Sequence, residues 1–181
     1  MEEFTEETDP EYEQALKKYA VQCLLMEGSK MIIFFFLFGY LGFIKEYIVA
    51  LLIMMTLRCN GGGLHCRHYI SCLIVSFLVL AGGILAGIYC PLHNPYSSII
   101  LLACAYAGYR LVPVVSESRP EPDEELIHRS RFNTLCFILA YFFVICICPY
   151  SPYLNICTWT VMIHITQLSL ARFLRRRSKY V

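Results

Sequence analysis

The chain has 181 residues, of which 57% are hydrophobic, 14% aromatic and only 16% charged. A soluble domain is typically about 45–50% apolar and about 25% charged, and a core of this size cannot hide the excess, so lipid is the expected solvent. The formal net charge of +1 excludes little, because the charges are segregated along the chain.

The chain opens acidic, with Glu2, Glu3, Glu6, Glu7 and Asp9. A cleavable signal needs a basic start, so insertion is expected to use the mature apolar segments. Asp9 and Pro10 suit an N-cap and a first helical position. Tyr12, Leu16, Tyr19, Cys23 and Met26 then recur at helical spacing opposite Glu13, Lys17 and Lys18. That pattern predicts an amphipathic helix lying on a membrane surface, or a soluble helix packed on the loops.

Six apolar segments follow, over residues 31–44, 47–57, 69–89, 97–115, 132–147 and 156–170. The third and fourth reach the roughly 20 residues a simple span needs, and the fifth and sixth do so with their flanks. The first two, parted only by Lys45 and Glu46, read as a shallow hairpin or as spans leaning on their flanks. Cys23, Cys104, Cys136, Cys146, Cys148 and Cys157 lie in or beside apolar runs, where cysteine acts as a small hydrophobe rather than as part of a disulfide framework.

Basic residues predict the orientation. With both termini cytoplasmic, Lys17, Lys18, Lys30, Arg58, Arg67, Arg119, Arg129, Arg131, Arg172, Arg175, Arg176, Arg177 and Lys179 all fall inside, Arg110 can reach the same face, and Lys45 alone falls outside. Arg175, Arg176, Arg177 and Lys179 follow the last segment and suit anionic lipid headgroups. The expected architecture is an all-α, polytopic integral membrane helical bundle of the cell membrane. Its expected parts are an acidic N-terminus and amphipathic interfacial helix (1–30), a membrane-embedded domain (31–170) and a basic tail (171–181). The outer connections, residues 90–96 and 149–152, are short, uncharged and proline-marked, whereas the inner loops carry the charge.

The most informative stretch is the inner loop before the third segment: Arg58, Cys59, Asn60, Gly61, Gly62, Gly63, Leu64, His65, Cys66, Arg67, His68 and, four residues on, Cys72. Three glycines permit a sharp turn or a close backbone approach. One reading pairs the His65 imidazole with the Cys72 thiol, near a helix N-terminus that favours negative charge. Seven residues along a continuous helix would part them by about 10 Å, so the pairing needs His65 outside the helix and folded back. A second reading is a zinc site drawn from Cys59, His65, Cys66, His68 and Cys72, although the spacing is not that of a zinc finger or ribbon. A third is a glycine turn flanked by interfacial side chains, with His68 no more than a polar residue at the boundary. A channel or transporter is disfavoured, because only His164 and Arg110 put ionisable groups into the spans.

With these residues in view, the stretch resembles the signature of the AgrB (accessory gene regulator B) family, membrane cysteine peptidases of quorum sensing. The resemblance rests on Arg58, the turn Gly61 to Gly63, His65, and Cys72 seven residues later. The order of elements and the proline-flanked stretch from Pro113 to Pro120 are also similar. The later inner loop departs from the family's lysine-rich habit, carrying five acids: Glu117, Glu121, Asp123, Glu124 and Glu125. The resemblance implies an endopeptidase that removes the C-terminal tail of an AgrD-like propeptide. Cys72 would be the nucleophile and His65 its base, working through a peptidyl thioester that closes to a thiolactone or lactone signal. It also implies Arg58, Gly63 and Arg119 as substrate-binding residues, a homodimer as the assembly, and no cofactor or nucleic-acid partner. Gly82, Gly83 and Gly87 are expected to let apolar helices pack closely.

Overall fold

The computed structural model describes residues 10–63, 68–114, 123–148 and 150–178. Within them the regular structure is helical: α1 (Pro10–Tyr40), α2 (Ile44–Gly61), α3 (Tyr69–Tyr89), α4 (Asn94–Leu111), α5 (Glu124–Ile147) and α6 (Pro152–Ser178). Two of these, α3 and α5, are long and apolar enough to cross a membrane. Large apolar side chains such as Phe36, Leu52, Ile74, Leu78, Ile99 and Phe143 stand outward. An outer surface this apolar needs an apolar environment against it.

The helix boundaries differ from the sequence expectation in two places. The amphipathic stretch and the first apolar segment form one helix, α1, running unbroken through Gly28 and Lys30. The reversal into α2 falls at Gly42, not at Lys45 and Glu46, which lie in the first turn of α2. Gly42 adopts φ 79°, where a Cβ is disfavoured, while Lys and Glu are good helix formers. At α5 the start follows rule: the Asp123 carboxylate accepts from the Leu126 N–H at 2.9 Å, and Glu124 and Glu125 occupy the first turn, where acids suit the helix dipole.

Helix α6 is the hub, packing on α2, α3, α4 and α5. Its Ile156, Val161 and Leu168 are completely buried, and so are the polar Thr158 and Thr160. On the α3 side the contact is backbone-close. A Cβ on Gly83 would lie 2.7 Å from Thr160 Oγ1, and one on Gly87 would lie 2.7 Å from Ile156 Cα. These small residues therefore serve a helix contact within the chain. At that end Asn155 stitches the loop after α3: its amide donates to the Gly87 and Cys90 carbonyls, and its oxygen accepts from Leu92 N at 3.2 Å. Trp159 Nε1 donates to the same Cys90 carbonyl at 3.0 Å. The carbonyls that α3 cannot satisfy internally thus find donors on α6.

At the opposite end the same problem is solved for α4 by arginines. Arg172 of α6 donates to the Arg110 carbonyl at 2.6 Å and to that of Leu111 at 3.3 Å, and Arg131 of α5 donates to Val112 O at 2.9 Å. Arg131, counted in the sequence among the inner-face basic residues, sits on α5 and ties it to the end of α4. The glycine turn joins this end: Gly62, at φ 76°, pairs as an isolated parallel bridge with Val114, whose N–H donates to Gly61 O at 3.0 Å.

Three glycine substitutions test these contacts. Gly87→Ala should lower the thermal unfolding temperature in detergent, at an overpacking cost of about 1–3 kcal/mol. Gly82→Ala should be near neutral, because its Cβ meets only Ile163 Cδ1 at 3.5 Å. Gly62→Ala should cost about 1–3 kcal/mol from backbone strain alone, and more because the new Cβ runs into the Val114 carbonyl oxygen. Equal stability of the Gly87 and Gly82 variants would contradict the close α3–α6 contact.

Candidate active site

Helix α3 begins after His68, and Cys72 is its fourth residue, in the first turn, where the unpaired N–H groups and the dipole favour negative charge. The Cys72 side chain is not at the surface: it is 1% exposed and faces α1. There Lys30, only 2% exposed, donates from Nζ to Cys72 Sγ at 3.2 Å. The same ammonium donates to Glu27 Oε1 at 2.7 Å, one turn earlier on α1. Next to it the hydroxyls of Ser29 and Tyr69 hydrogen-bond at 2.7 Å, a second tie between α1 and the start of α3.

Arg58 completes the constellation from α2. Its Nη2 lies 3.3 Å from the Glu27 oxygen that Lys30 holds, with the guanidinium 12% exposed. The contact is an ion pair, but no N–H of Nη2 is aimed well enough to count as a hydrogen bond. We read it as a charge contact, since Coulomb attraction survives poor alignment and directional bonding does not. Gly63 is buried directly beneath: a Cβ there would lie 3.4 Å from Arg58 Nε. Three helices therefore converge on a small polar cluster: Lys30 and Glu27 from α1, Arg58 from α2, and the Cys72 sulfur from α3.

Set against the sequence reading, Arg58 and Cys72 are brought into one cluster through Glu27 and Lys30, and Gly63 packs on Arg58. Arg58, counted among the inner-face basic residues, turns inward to Glu27. Lys30, counted among the inner-face basic residues, is likewise inside the bundle. His65 and Arg119 lie outside the described residues, as does Cys66. Asn60, in the same stretch, looks elsewhere: it donates to Thr56 O at 2.9 Å and accepts from Asn133 Nδ2 at 3.0 Å. His68 is exposed. His164, the ionisable residue expected in the sixth segment, is 1% exposed beside Gly61, and neither ring nitrogen makes a hydrogen bond. Among the described residues no group of three or more His, Cys, Asp or Glu is arranged to hold a metal ion.

Glu27 and Lys30 are what the sequence reading missed. The available signal was their i, i+3 spacing, which places both on one helix face, at the junction where an amphipathic pattern becomes wholly apolar. A lysine at that junction ordinarily reads as a boundary marker, and only the packing of α3 against it gives it a thiol to face.

The chain is 29% identical over 103 residues to an AgrB-like protein of Clostridium acetobutylicum, covering 57% of this chain and 49% of that relative. It is 23% identical over 128 residues to one of Clostridium beijerinckii, covering 70% and 64%. With AgrB-like protein 1 of Clostridium perfringens it shares 26% identity over 152 residues, covering 81% and 79%. The matches thus span about half to four-fifths of the relatives' lengths. No solved structure matches. The family description Accessory gene regulator B matches residues 2–168, nearly the whole chain, and the protein belongs to the AgrB family.

Proposed function

We propose that this chain is a membrane-embedded cysteine endopeptidase that removes the C-terminal tail of an AgrD-like propeptide and promotes its cyclisation. The observation that carries the proposal is the buried Cys72 sulfur in the first turn of α3, with a lysine ammonium 3.2 Å away and Arg58 joined to the same cluster through Glu27. A cation on the sulfur compensates the negative charge that a thiolate nucleophile carries.

In this reading His65 takes the proton of the Cys72 thiol, and the thiolate attacks the scissile carbonyl. The C–N bond breaks, the departing amine takes the proton from the imidazolium, and a peptidyl thioester on Cys72 remains. A thiol or hydroxyl within the peptide then attacks that thioester. Its proton passes to the imidazole, the bond to Cys72 breaks, and the ring closes as a thiolactone or lactone. Exchange of one thioester for another is nearly isoenergetic, so the enzyme's work is to hold the reacting ends together and keep water out. Arg58, Gly63 and Arg119 belong to substrate binding in this scheme, with Arg58 orienting a carboxylate or stabilising the oxyanion. Gly63 contributes by leaving room for the Arg58 side chain.

The proposed setting is a polytopic bundle of about six apolar segments. The first part of α1 lies at the membrane interface, residues 31–170 form the embedded peptidase, and residues 171–181 form a basic tail. Both termini and the site face the cytoplasm, and two copies pair as a homodimer. The basic residues at the site end, Arg58, Arg110, Arg131 and Arg172, support that orientation.

Coexpression with candidate amphipathic propeptides, followed by mass spectrometry, tests the activity. Cys72→Ala should abolish processing and remove any peptidyl adduct, whereas Cys59→Ala, at an exposed position, should process normally. His65→Ala should slow processing by about 10²–10⁴-fold, the usual worth of a general base. Continued processing by Cys72→Ala would end the peptidase reading. Equal loss in the Cys72 and Cys59 variants, with zinc copurifying, would favour a metal-binding protein instead.

A further inference from the structure

The geometry points to Lys30 as a catalytic cation of this site, holding the Cys72 sulfur as a thiolate both when it attacks the propeptide and when it is expelled at ring closure. The inference rests on the reading of Cys72 as nucleophile and adds a residue that the thiol–imidazole pair alone does not supply.

Three observations support it. First, the contact is direct and enclosed: Nζ to Sγ is 3.2 Å, with Lys30 2% and Cys72 1% exposed. A lysine with a long flexible stem normally carries its charge to water or headgroups, and this one does not. Second, among the described residues the charges packed here are Lys30 and Glu27 from α1 and Arg58 from α2, two cations against one carboxylate. The neighbouring Tyr69 and Ser29 hydroxyls bond to each other, and His68 stands exposed. A thiolate at Cys72 is the second anion that would balance the set, and buried charge is tolerated where it is paired. Third, Lys30 is held from behind. Glu27 Oε1 takes one of its three N–H donors at 2.7 Å, which fixes the ammonium while leaving another for the sulfur.

Chemically, the role runs through both acyl transfers. In the first, the sulfur electron pair forms the C–S bond, the amine leaves with a proton, and the ammonium loses its anionic neighbour at sulfur. In the second, the peptide's own nucleophile forms a new bond to the carbonyl, the C–S bond breaks, and the electron pair returns to Sγ beside Lys30. A stabilised thiolate is the better leaving group, so the cation favours release of the acyl chain to the peptide. Glu27 acts through Lys30 and is a positioning residue.

The test uses the full chain in membranes with iodoacetamide as probe, reading the Cys72 peptide by mass spectrometry beside the exposed Cys59 as internal reference. Lys30→Met should slow Cys72 alkylation about tenfold or more, the scale of one hydrogen bond to a charged group, and leave Cys59 unchanged. Propeptide processing should fall in parallel, and Lys30→Arg should recover most of both. Glu27→Gln should give a smaller loss of alkylation. If Lys30→Met does not accumulate, Lys30→Gln keeps N–H donors toward Glu27 without the charge, and slow alkylation in a chain of parental thermal stability supports the role. Parental alkylation and processing in a folded Lys30 variant, with Cys72→Ala inactive, would overturn the inference and leave the peptidase reading standing. Processing that survives Cys72→Ala would remove both.

Discussion

Burying an ammonium inside an apolar bundle constrains everything around it. Lys30 lies in the second half of α1, and its charge is met by Glu27 one turn earlier and by the sulfur of Cys72 across the helix interface. Of the two partners Lys30 is enclosed while Glu27 reaches partly to the surface, so the pair holds the ammonium without being cut off from solvent entirely. The register of α1 against α3 is therefore set by an electrostatic requirement as well as by packing. The Ser29–Tyr69 hydrogen bond at the next position fixes the same register a second time. Arg58 extends the arrangement to α2, so the three helices that first enter the bundle are keyed to one another through charge at one end.

The other half of the molecule is organised by close approach. Helix α6 is buried along much of its length, and α3 meets it through Gly83 and Gly87, where side chains would collide with Thr160 and Ile156. Phe34, Phe38, Tyr47 and Ile84 fill the space between α1, α2 and α3, with the Phe38 and Tyr47 rings stacked at 5.1 Å. Leu57, Leu101, Ile138, Val161 and Leu168 fill the space between α2, α4, α5 and α6. The helix ends are closed by side chains reaching across: Asn155 and Trp159 at the end of α3, Arg131 and Arg172 at the end of α4. These donors satisfy carbonyls that the helix ends leave without an intrahelical partner.

The glycine run shows how the two halves meet. Gly61 abuts Val112, Leu168 and His164; Gly62 pairs with Val114; Gly63 lies under Arg58. Each glycine answers a different neighbour, and together they join the end of α4 and the core of α6 to the arginine that contacts Glu27. A motif that reads as one flexible turn is three separate close approaches.

By itself the sequence determined the helical class and the apolar environment, and it singled out the stretch from Arg58 to Cys72 as the candidate site. It did so because hydrophobic runs, basic bias and local residue spacing are properties of the linear chain. It also carried the family, since the arginine, glycines, histidine and cysteine are close together in the chain. It misplaced the first reversal, because Lys45 and Glu46 look like a break, whereas Gly42 supplies the conformation a turn requires. What only the tertiary structure decided is which distant groups share a wall: Lys30 is 42 residues from Cys72, yet its nitrogen touches that sulfur. The i, i+3 pairing of Glu27 with Lys30 was present in the chain, but no local rule says whether such a pair faces lipid headgroups, solvent or a thiol. That choice is made by the packing of α1 on α3, and packing is a sum over surfaces the linear order does not contain.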